Sequence, residues 1–353
     1  MGYEKSILLL GAGKVTGPLV GYLLEKTSFP VTVASRTLSK AEKLVRGNPR
    51  GKAISLLVEE EKDLEKAISD SSLVISMLPW THHLKVANLC LKLKKHLITT
   101  SYAKPEMKAL DEEVKRAGLI FLNEIGVDPG IDHMSAMKII ERIRGKGGKI
   151  LSFISLCGGL PAPSANDNPW GYKFSWSPKG VALAGKNSAS FLRAGTIINL
   201  PAEKLFLTVL PLKIPGLGDF EVYPNRDSIS YKTLYNIPEA KTMFRGTIRY
   251  PGWCRSWDAL RKMGFLREEP IKTKGKTYRE FTAGLIKAEP EKLENKLADF
   301  LGINPDDDII RRFSWLRLFS DEKIPREQIS PIDLLVSLME EQMSYKEGEQ
   351  DMI

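Results

Sequence analysis

The segment Gly11-Ala12-Gly13-Lys14-Val15-Thr16-Gly17 stands between a short apolar run, Ile7–Leu10, and a stretch whose residues Val15, Leu19, Val20, Leu23 and Leu24 recur at helical spacing. A strand that turns through glycines into a helix brings unpaired backbone N–H groups and the positive end of the helix dipole to one point, a ready site for phosphate. Gly11 permits the tight turn, Gly13 lets the backbone approach a ligand, and Gly17 is expected to allow close helix–strand packing. The spacing is one residue longer than the commonest dinucleotide loop. A glycine turn without ligand is the plain alternative, and the strand-to-helix setting favours a pyrophosphate.

The alternation continues along the chain. Strand-like runs follow at 31–34, 53–56, 73–77, 97–100 and 119–122, and the stretches between them read as helices at 39–45 with Ser39 as N-cap, 82–93, and 105–117 with Pro105 in the first turn. Six strands in this order predict an α/β architecture: a Rossmann-type doubly wound parallel sheet over residues 1–126. The second strand ends in Ser35-Arg36-Thr37, where an NAD-binding unit carries an acid for the ribose 2′-hydroxyl. Arg36 instead suits a 2′-phosphate, with Ser35 and Thr37 as hydroxyl donors, so the expected cofactor is NADP; a solvated turn arginine is the competing reading.

The fourth and fifth strands end at Met77-Leu78-Pro79 and Thr99-Thr100-Ser101-Tyr102, on the carboxyl edge where open α/β sheets bind ligands. After the sixth comes Asn123-Glu-Ile-Gly-Val-Asp-Pro-Gly-Ile-Asp-His133. A Gly/Pro turn and a helix capped by Asp132 explain its glycines and Pro129 but leave Asp128 without a task. Beyond residue 126 the regular alternation stops. A Gly/Pro/Asn-rich loop over 157–171 is too long for a simple connection. Strand-like runs at 150–156, 196–200, 206–210 and 247–250 predict an α+β substrate domain over 127–251. From Trp253 the pattern is helical, most clearly at 283–301 and 331–343, and predicts a mainly α-helical region over 252–353.

Charge and cysteine usage narrow the class. The net charge is +9, but Lys and Arg are dispersed among Asp and Glu, so an anionic cofactor and substrate explain it and nucleic acid is not expected. No apolar run is long enough to span a bilayer, and the opening Met-Gly-Tyr-Glu-Lys-Ser matches a myristoylation pattern only loosely, so neither membrane insertion nor acylation is expected. Cys90, Cys157 and Cys254 are dispersed and odd in number. His82, His83, His96 and His133 have no partners at ligand spacing. The expectation is no metal, no disulfide framework and a cytoplasmic setting. Cys157 by itself reads more readily as a small buried residue than as a cleft thiol.

Together the runs Thr100-Ser-Tyr102, 123–133, Cys157-Gly-Gly-Leu-Pro-Ala-Pro163, Asn168-Pro-Trp-Gly-Tyr-Lys-Phe-Ser-Trp-Ser-Pro178, Tyr223-Pro-Asn-Arg-Asp-Ser228 and Arg245-Gly-Thr-Ile-Arg-Tyr250 resemble the NADP-dependent, glutamate-forming saccharopine dehydrogenases. The resemblance implies an oxidoreductase of lysine biosynthesis that interconverts saccharopine with L-glutamate and 2-aminoadipate 6-semialdehyde by hydride transfer at a C–N bond. With the glycines of the loop (Gly11, Gly13, Gly17), it places cofactor contacts at Ala12, Lys14, Val15, Ser35, Arg36, Thr37, Val58, Ile75, Thr100, Ser101, Val127, Asp128, Pro129 and Trp176. Substrate contacts fall on Ser101, Tyr102, Asp128, Arg226, Thr247, Ile248 and Arg249. Tyr102, Asp128 and Cys157 are the candidates for proton transfer, and a homodimer is the expected assembly.

Arg226 and Arg249 suit the carboxylates of saccharopine and argue against a carboxyspermidine-type dehydrogenase, whose substrate has fewer. Two departures stand out. Leu57, before Val58, occupies a place where the family usually has an acid, so weaker cofactor binding is expected. Family members also continue beyond the motif Glu347-Gly-Glu-Gln-Asp-Met-Ile353, so the chain is expected to be a fragment, a split gene product or a shortened homologue with an unpaired sheet edge. That expectation keeps an NADP-binding but catalytically incomplete protein as the alternative.

Overall fold

A computed structural model describes residues 5–353, so residues 1–4 of the acylation pattern lie outside the described residues. The chain forms two compact units, Met1–Ile139 and Ile140–Ile353.

The first unit is built on β1 (Ile7–Leu10), α1 (Thr16–Lys26), β2 (Val31–Ser35), α2 (Leu38–Val45), β3 (Gly51–Ser55), α3 (Glu61–Ser69), β4 (Leu73–Ser76), α4 (His83–Lys92), β5 (His96–Thr99), α5 (Pro105–Lys108), α6 (Asp111–Arg116), β6 (Phe121–Leu122) and α7 (Ile131–Arg144), along which the unit boundary falls. All six strands are parallel, in the order β3-β2-β1-β4-β5-β6. Strand β1 shows why: its four residues are all buried, Ile7 and Leu9 packing with α1 and α2, Leu8 and Leu10 with α3 and α4. A strand covered on both faces is the mark of a parallel sheet.

The local expectations need three corrections here. Ser39 lies inside α2 and Thr37 occupies the N-cap position. The helix expected over 105–117 is two short ones. A Cβ at Gly17 would meet Leu44 of α2 at an ordinary 3.6 Å, so this glycine does not serve a close helix–strand approach.

The second unit carries β7 (Ser152–Cys157), β8 (Leu160–Pro161), α8 (Pro178–Ala184), β9 (Ala189–Arg193), β10 (Thr196–Leu200), β11 (Leu210–Ile214), β12 (Gly218–Pro224), α9 (Tyr231–Leu234), β13 (Thr242–Arg249), α10 (Trp253–Met263), β14 (Ile271–Lys272), α11 (Tyr278–Leu285), α12 (Leu293–Leu301), α13 (Asp308–Trp315), β15 (Gln328–Ile329), α14 (Pro331–Gln342) and β16 (Asp351–Met352). Its main sheet runs β10-β9-β13-β12-β11, and β7 joins β13 in parallel. One core, from Leu160 to Met343, packs Phe220 and Tyr223 of this sheet against Trp253, Trp257, Phe313 and Leu335 of the helices.

The expected strand at 206–210 is instead a 3₁₀ turn, Ala202–Leu207, followed by β11, because a short apolar run after Pro201 does not by itself choose between helix and strand. The helix expected over 283–301 breaks into α11 and α12 around Pro290, which cannot donate in a helix and pushes its predecessor out of the helical region. The long loop is tied down by β8, which pairs antiparallel with β16. Among the described residues no helix is long and apolar enough to cross a membrane.

Candidate active site

In the first unit the chain folds the glycine loop by geometry that only glycine allows. Gly11 has φ +107°, donates its N–H to the Ala34 carbonyl at 2.8 Å, and would place a Cβ 3.0 Å from the Met77 carbonyl oxygen. The buried Thr16 accepts the Gly13 N–H at 3.1 Å and closes the turn. Helix α1 then begins at Thr16, with Val15 at the N-cap, no side-chain cap and no acid in its first turn, which leaves its N-terminal end open to an anion. At the end of β2, Ser35 accepts the Thr37 N–H at 3.2 Å, and Arg36 and Thr37 are exposed. This donor set fits the diphosphate and 2′-phosphate of NADP. Ile75 and Val58 sit largely in the cores, and Leu57 beside Val58 is exposed.

The segment after β5 is held residue by residue. Ser101 Oγ lies 3.0 Å from His83 Nε2, and His83 Nδ1 lies 3.0 Å from Ser76 Oγ. The Tyr102 hydroxyl donates to Asp128 Oδ1. The Ala103 N–H donates to Glu124 Oε1 at 2.9 Å, while Glu124 Oε2 meets His133 Nε2 at 3.0 Å. Asp128 reaches Tyr102 from a tight turn: the Asp128–Pro129 bond is cis, Gly126 donates to the Pro129 carbonyl at 2.8 Å, and Gly130 at φ +150° would put a Cβ 2.1 Å from the Gly126 carbonyl oxygen. Helix α7 begins at Ile131, so Asp132 is a first-turn residue; it accepts the Gly130 N–H at 2.7 Å. The fold thus assembles Ser101, Tyr102 and Asp128 at one place, with Thr100 beside them in sequence.

In the second unit, Cys157, Thr247 and Tyr223 form one register row across β7, β13 and β12, so their side chains share a sheet face. Arg249 lies two residues on along the same face. It is 5 % exposed, with its guanidinium carbon 5.0 Å from the ring of Tyr172, 6.0 Å from Tyr223 and 5.3 Å from Trp253. Its Nη1 donates to the Ile248 carbonyl at 2.7 Å, and its Nε is buried with no hydrogen-bond partner among the described residues. Burial pushes the Tyr172 and Tyr223 phenols up, so the rings around the cation stay neutral. Arg226 is exposed in the turn after β12, at φ +50°. Trp176 is half-exposed. Cys157 is only part-buried, against the expectation of a buried thiol: it lies on β7, which pairs with β13 alone and has no buried residue.

His83, Glu124 and the aromatic group around Arg249 had not been singled out from the sequence. Glu124 lies inside a run already marked by its composition. His83 carries no such signal, since its partners are 7 and 18 residues away on other elements.

Comparison with known proteins accounts for both units. Residues 7–122 match the family model "Saccharopine dehydrogenase NADP binding domain", and residues 126–353 match "Saccharopine dehydrogenase C-terminal domain". The chain is 46 % identical to saccharopine dehydrogenase (NADP+, L-glutamate-forming) of Schizosaccharomyces pombe, over 99 % of this chain and 80 % of the relative. It is 42 % identical to the Saccharomyces cerevisiae protein of the same name, over 99 % of this chain and 80 % of that one. The solved structure of apo histidine-tagged saccharopine dehydrogenase (L-Glu forming) from Saccharomyces cerevisiae superposes with a TM-score of 0.85 at 40 % identity, covering 98 % of this chain and 79 % of that one. The chain belongs to the saccharopine dehydrogenase family.

Proposed function

We propose that this chain is an NADP-dependent oxidoreductase of lysine metabolism that interconverts saccharopine with L-glutamate and 2-aminoadipate 6-semialdehyde. The observation that carries the reading is Arg249, a buried guanidinium caged by neutral rings with an unsatisfied Nε. A buried charge of this kind is costly until an anion completes it, and a carboxylate matches its fork. Saccharopine carries three carboxylates, and Arg226 supplies a second, exposed guanidinium. The names of the relatives and the two family models support the same substrate and cofactor.

In this reading the loop from Gly11 to Val15, through the amides of Ala12 and Val15, and the turn Ser35 to Thr37 hold NADP, with Val58, Ile75, Thr100, Val127, Pro129 and Trp176 as further contacts. When bound, NADP+ supplies a two-electron hydride acceptor, which no side chain can provide. The residues of the chain do the rest. Saccharopine must lose the proton on its secondary amine before a hydride can leave the adjoining carbon. The C=N bond then takes up water, and its collapse returns a proton to nitrogen as the glutamate amine departs. The Tyr102–Asp128 hydrogen bond offers one site that can take and return such a proton, and the Cys157 thiol offers a proton donor for the departing amine. Ser101, Thr247 and Ile248 orient the substrate.

Cytoplasmic residence and a homodimer belong to the same reading, the first on three cysteines with no disulfide among the described residues. Titrating saccharopine calorimetrically into the NADPH-saturated protein tests the substrate assignment: saturation in the micromolar range is expected, and absence of heat with cofactor bound would sink it.

A further inference from the structure

His83 has no role in the chemistry above, yet both of its ring nitrogens are engaged at the carboxyl edge of the parallel sheet. It opens α4, is 5 % exposed, and has both ring nitrogens on serine hydroxyls: Nδ1 at 3.0 Å from Ser76 Oγ at the end of β4, and Nε2 at 3.0 Å from Ser101 Oγ just past β5. Burial, with His82 adding to it, pulls its pKa down to about 4, so the ring is neutral near neutral pH. A neutral imidazole has one N–H and one lone pair. If Nδ1 carries the proton, Ser101 must donate to Nε2 and turns its lone pairs away from the ring. If Nε2 carries it, Ser101 accepts and turns its own proton away. In both tautomers the serine hydroxyl loses its free rotation.

We propose that His83 is a positioning residue of the active site: anchored by Ser76, it fixes the direction in which the Ser101 hydroxyl faces the substrate. The three-residue segment is then held at each position by a different element, Ser101 by α4, Tyr102 by the Asp128 turn and Ala103 by Glu124. The proposal rests on Ser101 being a substrate contact. A freely rotating hydroxyl must be ordered by each incoming ligand, so loss of the ring weakens substrate binding and leaves the chemical step nearly unchanged.

The test uses the full chain with NADP+ and saccharopine, comparing His83→Gln, whose amide reaches the Nε2 position, with His83→Asn, whose amide reaches only the Nδ1 position. His83→Asn is expected to raise the saccharopine KM about tenfold with kcat within about twofold, and His83→Gln to stay within about threefold of the parent in both. In a Ser101→Ala background, His83→Asn is expected to add nothing. Equal behaviour of the two His83 variants, or a His83→Asn effect that persists undiminished without the Ser101 hydroxyl, overturns the proposal. If Ser101→Ala alone leaves the saccharopine KM at the parent value, the substrate-contact reading of Ser101 falls and takes the proposal with it. A Ser101→Ala defect with a silent His83→Asn removes the proposal alone.

Discussion

The two units arrange their functional groups by different means. In the first, the cofactor loop is made of backbone amides and small hydroxyls, and the sheet that presents them is specified by short runs of alternating strand and helix. In the second, the principal charged group is a single guanidinium whose surroundings come from Tyr172 just after the long loop, Tyr223 on β12 and Trp253 on α10, within a core that extends to Met343. A loop built from local geometry can be altered one contact at a time. A caged side chain cannot be separated from the packing around it, so substitutions in the second unit should disturb stability and substrate binding together.

The largest effect is expected at Trp253. It is 2 % exposed and lies with its ring centroid 4.5 Å from Tyr172 and 5.3 Å from Trp257. Trp253→Ala should cost roughly 3–5 kcal/mol of stability by opening a cavity, measured by denaturant unfolding. If sheet and helices share one core as described, probes in β12 and in α13 should report the same lowered transition. Separate transitions would split the second unit in two and break the comparison.

Arg249→Lys keeps the charge and loses the planar fork. Saccharopine kcat/KM should fall roughly a hundredfold, about 3 kcal/mol, with NADPH affinity measured by fluorescence unchanged. A parallel loss of NADPH affinity would contradict the assignment of Arg249 to the substrate alone. The reciprocal variant is Arg36→Ala, which should weaken NADPH binding by roughly 1.5–3 kcal/mol and narrow the preference over NADH. Saccharopine KM measured at saturating NADP+ should stay at the parent value.

The smallest effect concerns the ion cluster under the long loop. Lys173, 2 % exposed, pairs with Asp167 and Glu349, each at 2.8 Å. Hydrogen bonds from Lys173 and Lys346 hold the Asp167 carboxyl down to about 2, against an ordinary 3.8. The sign follows: the folded carboxyl is the stronger acid, so its contribution is complete above about pH 4 and is lost as pH falls through about 2. Asp167 is 43 % exposed, which limits the gain to under about 1 kcal/mol. Thermal midpoints of the parent and Asp167→Asn should differ slightly at about pH 5 and converge near pH 2.

The same contrast explains what could be read from the chain. The parallel sheet was legible because its central strands β1, β2 and β4 are largely buried runs, each followed by its own helix, and the loop because Gly11 must turn where it does. Arg36 was legible as a departure from an expected acid. The second unit was legible only in part: the runs at 150–156, 196–200 and 247–250 fall on β7, β10 and the end of β13, and the helix at 331–343 on α14, but β9 and β12 carry mixed faces, the run at 206–210 is ambiguous between strand and 3₁₀ turn, and Pro290 divides what periodicity joins. At the site, family motifs pointed to Tyr102, Asp128 and Arg249. The rings that cage Arg249 and the serines that flank His83 lie far apart in sequence, and only the folded chain brings them to their partners.

The central claim is that this chain oxidises saccharopine with NADP+. Incubating the purified protein with both and following the reduced-nicotinamide absorbance band tests it most directly. Saccharopine-dependent growth of that band is expected, with glutamate formed in equal amount. Protein that binds NADP(H) and yet produces neither would contradict it.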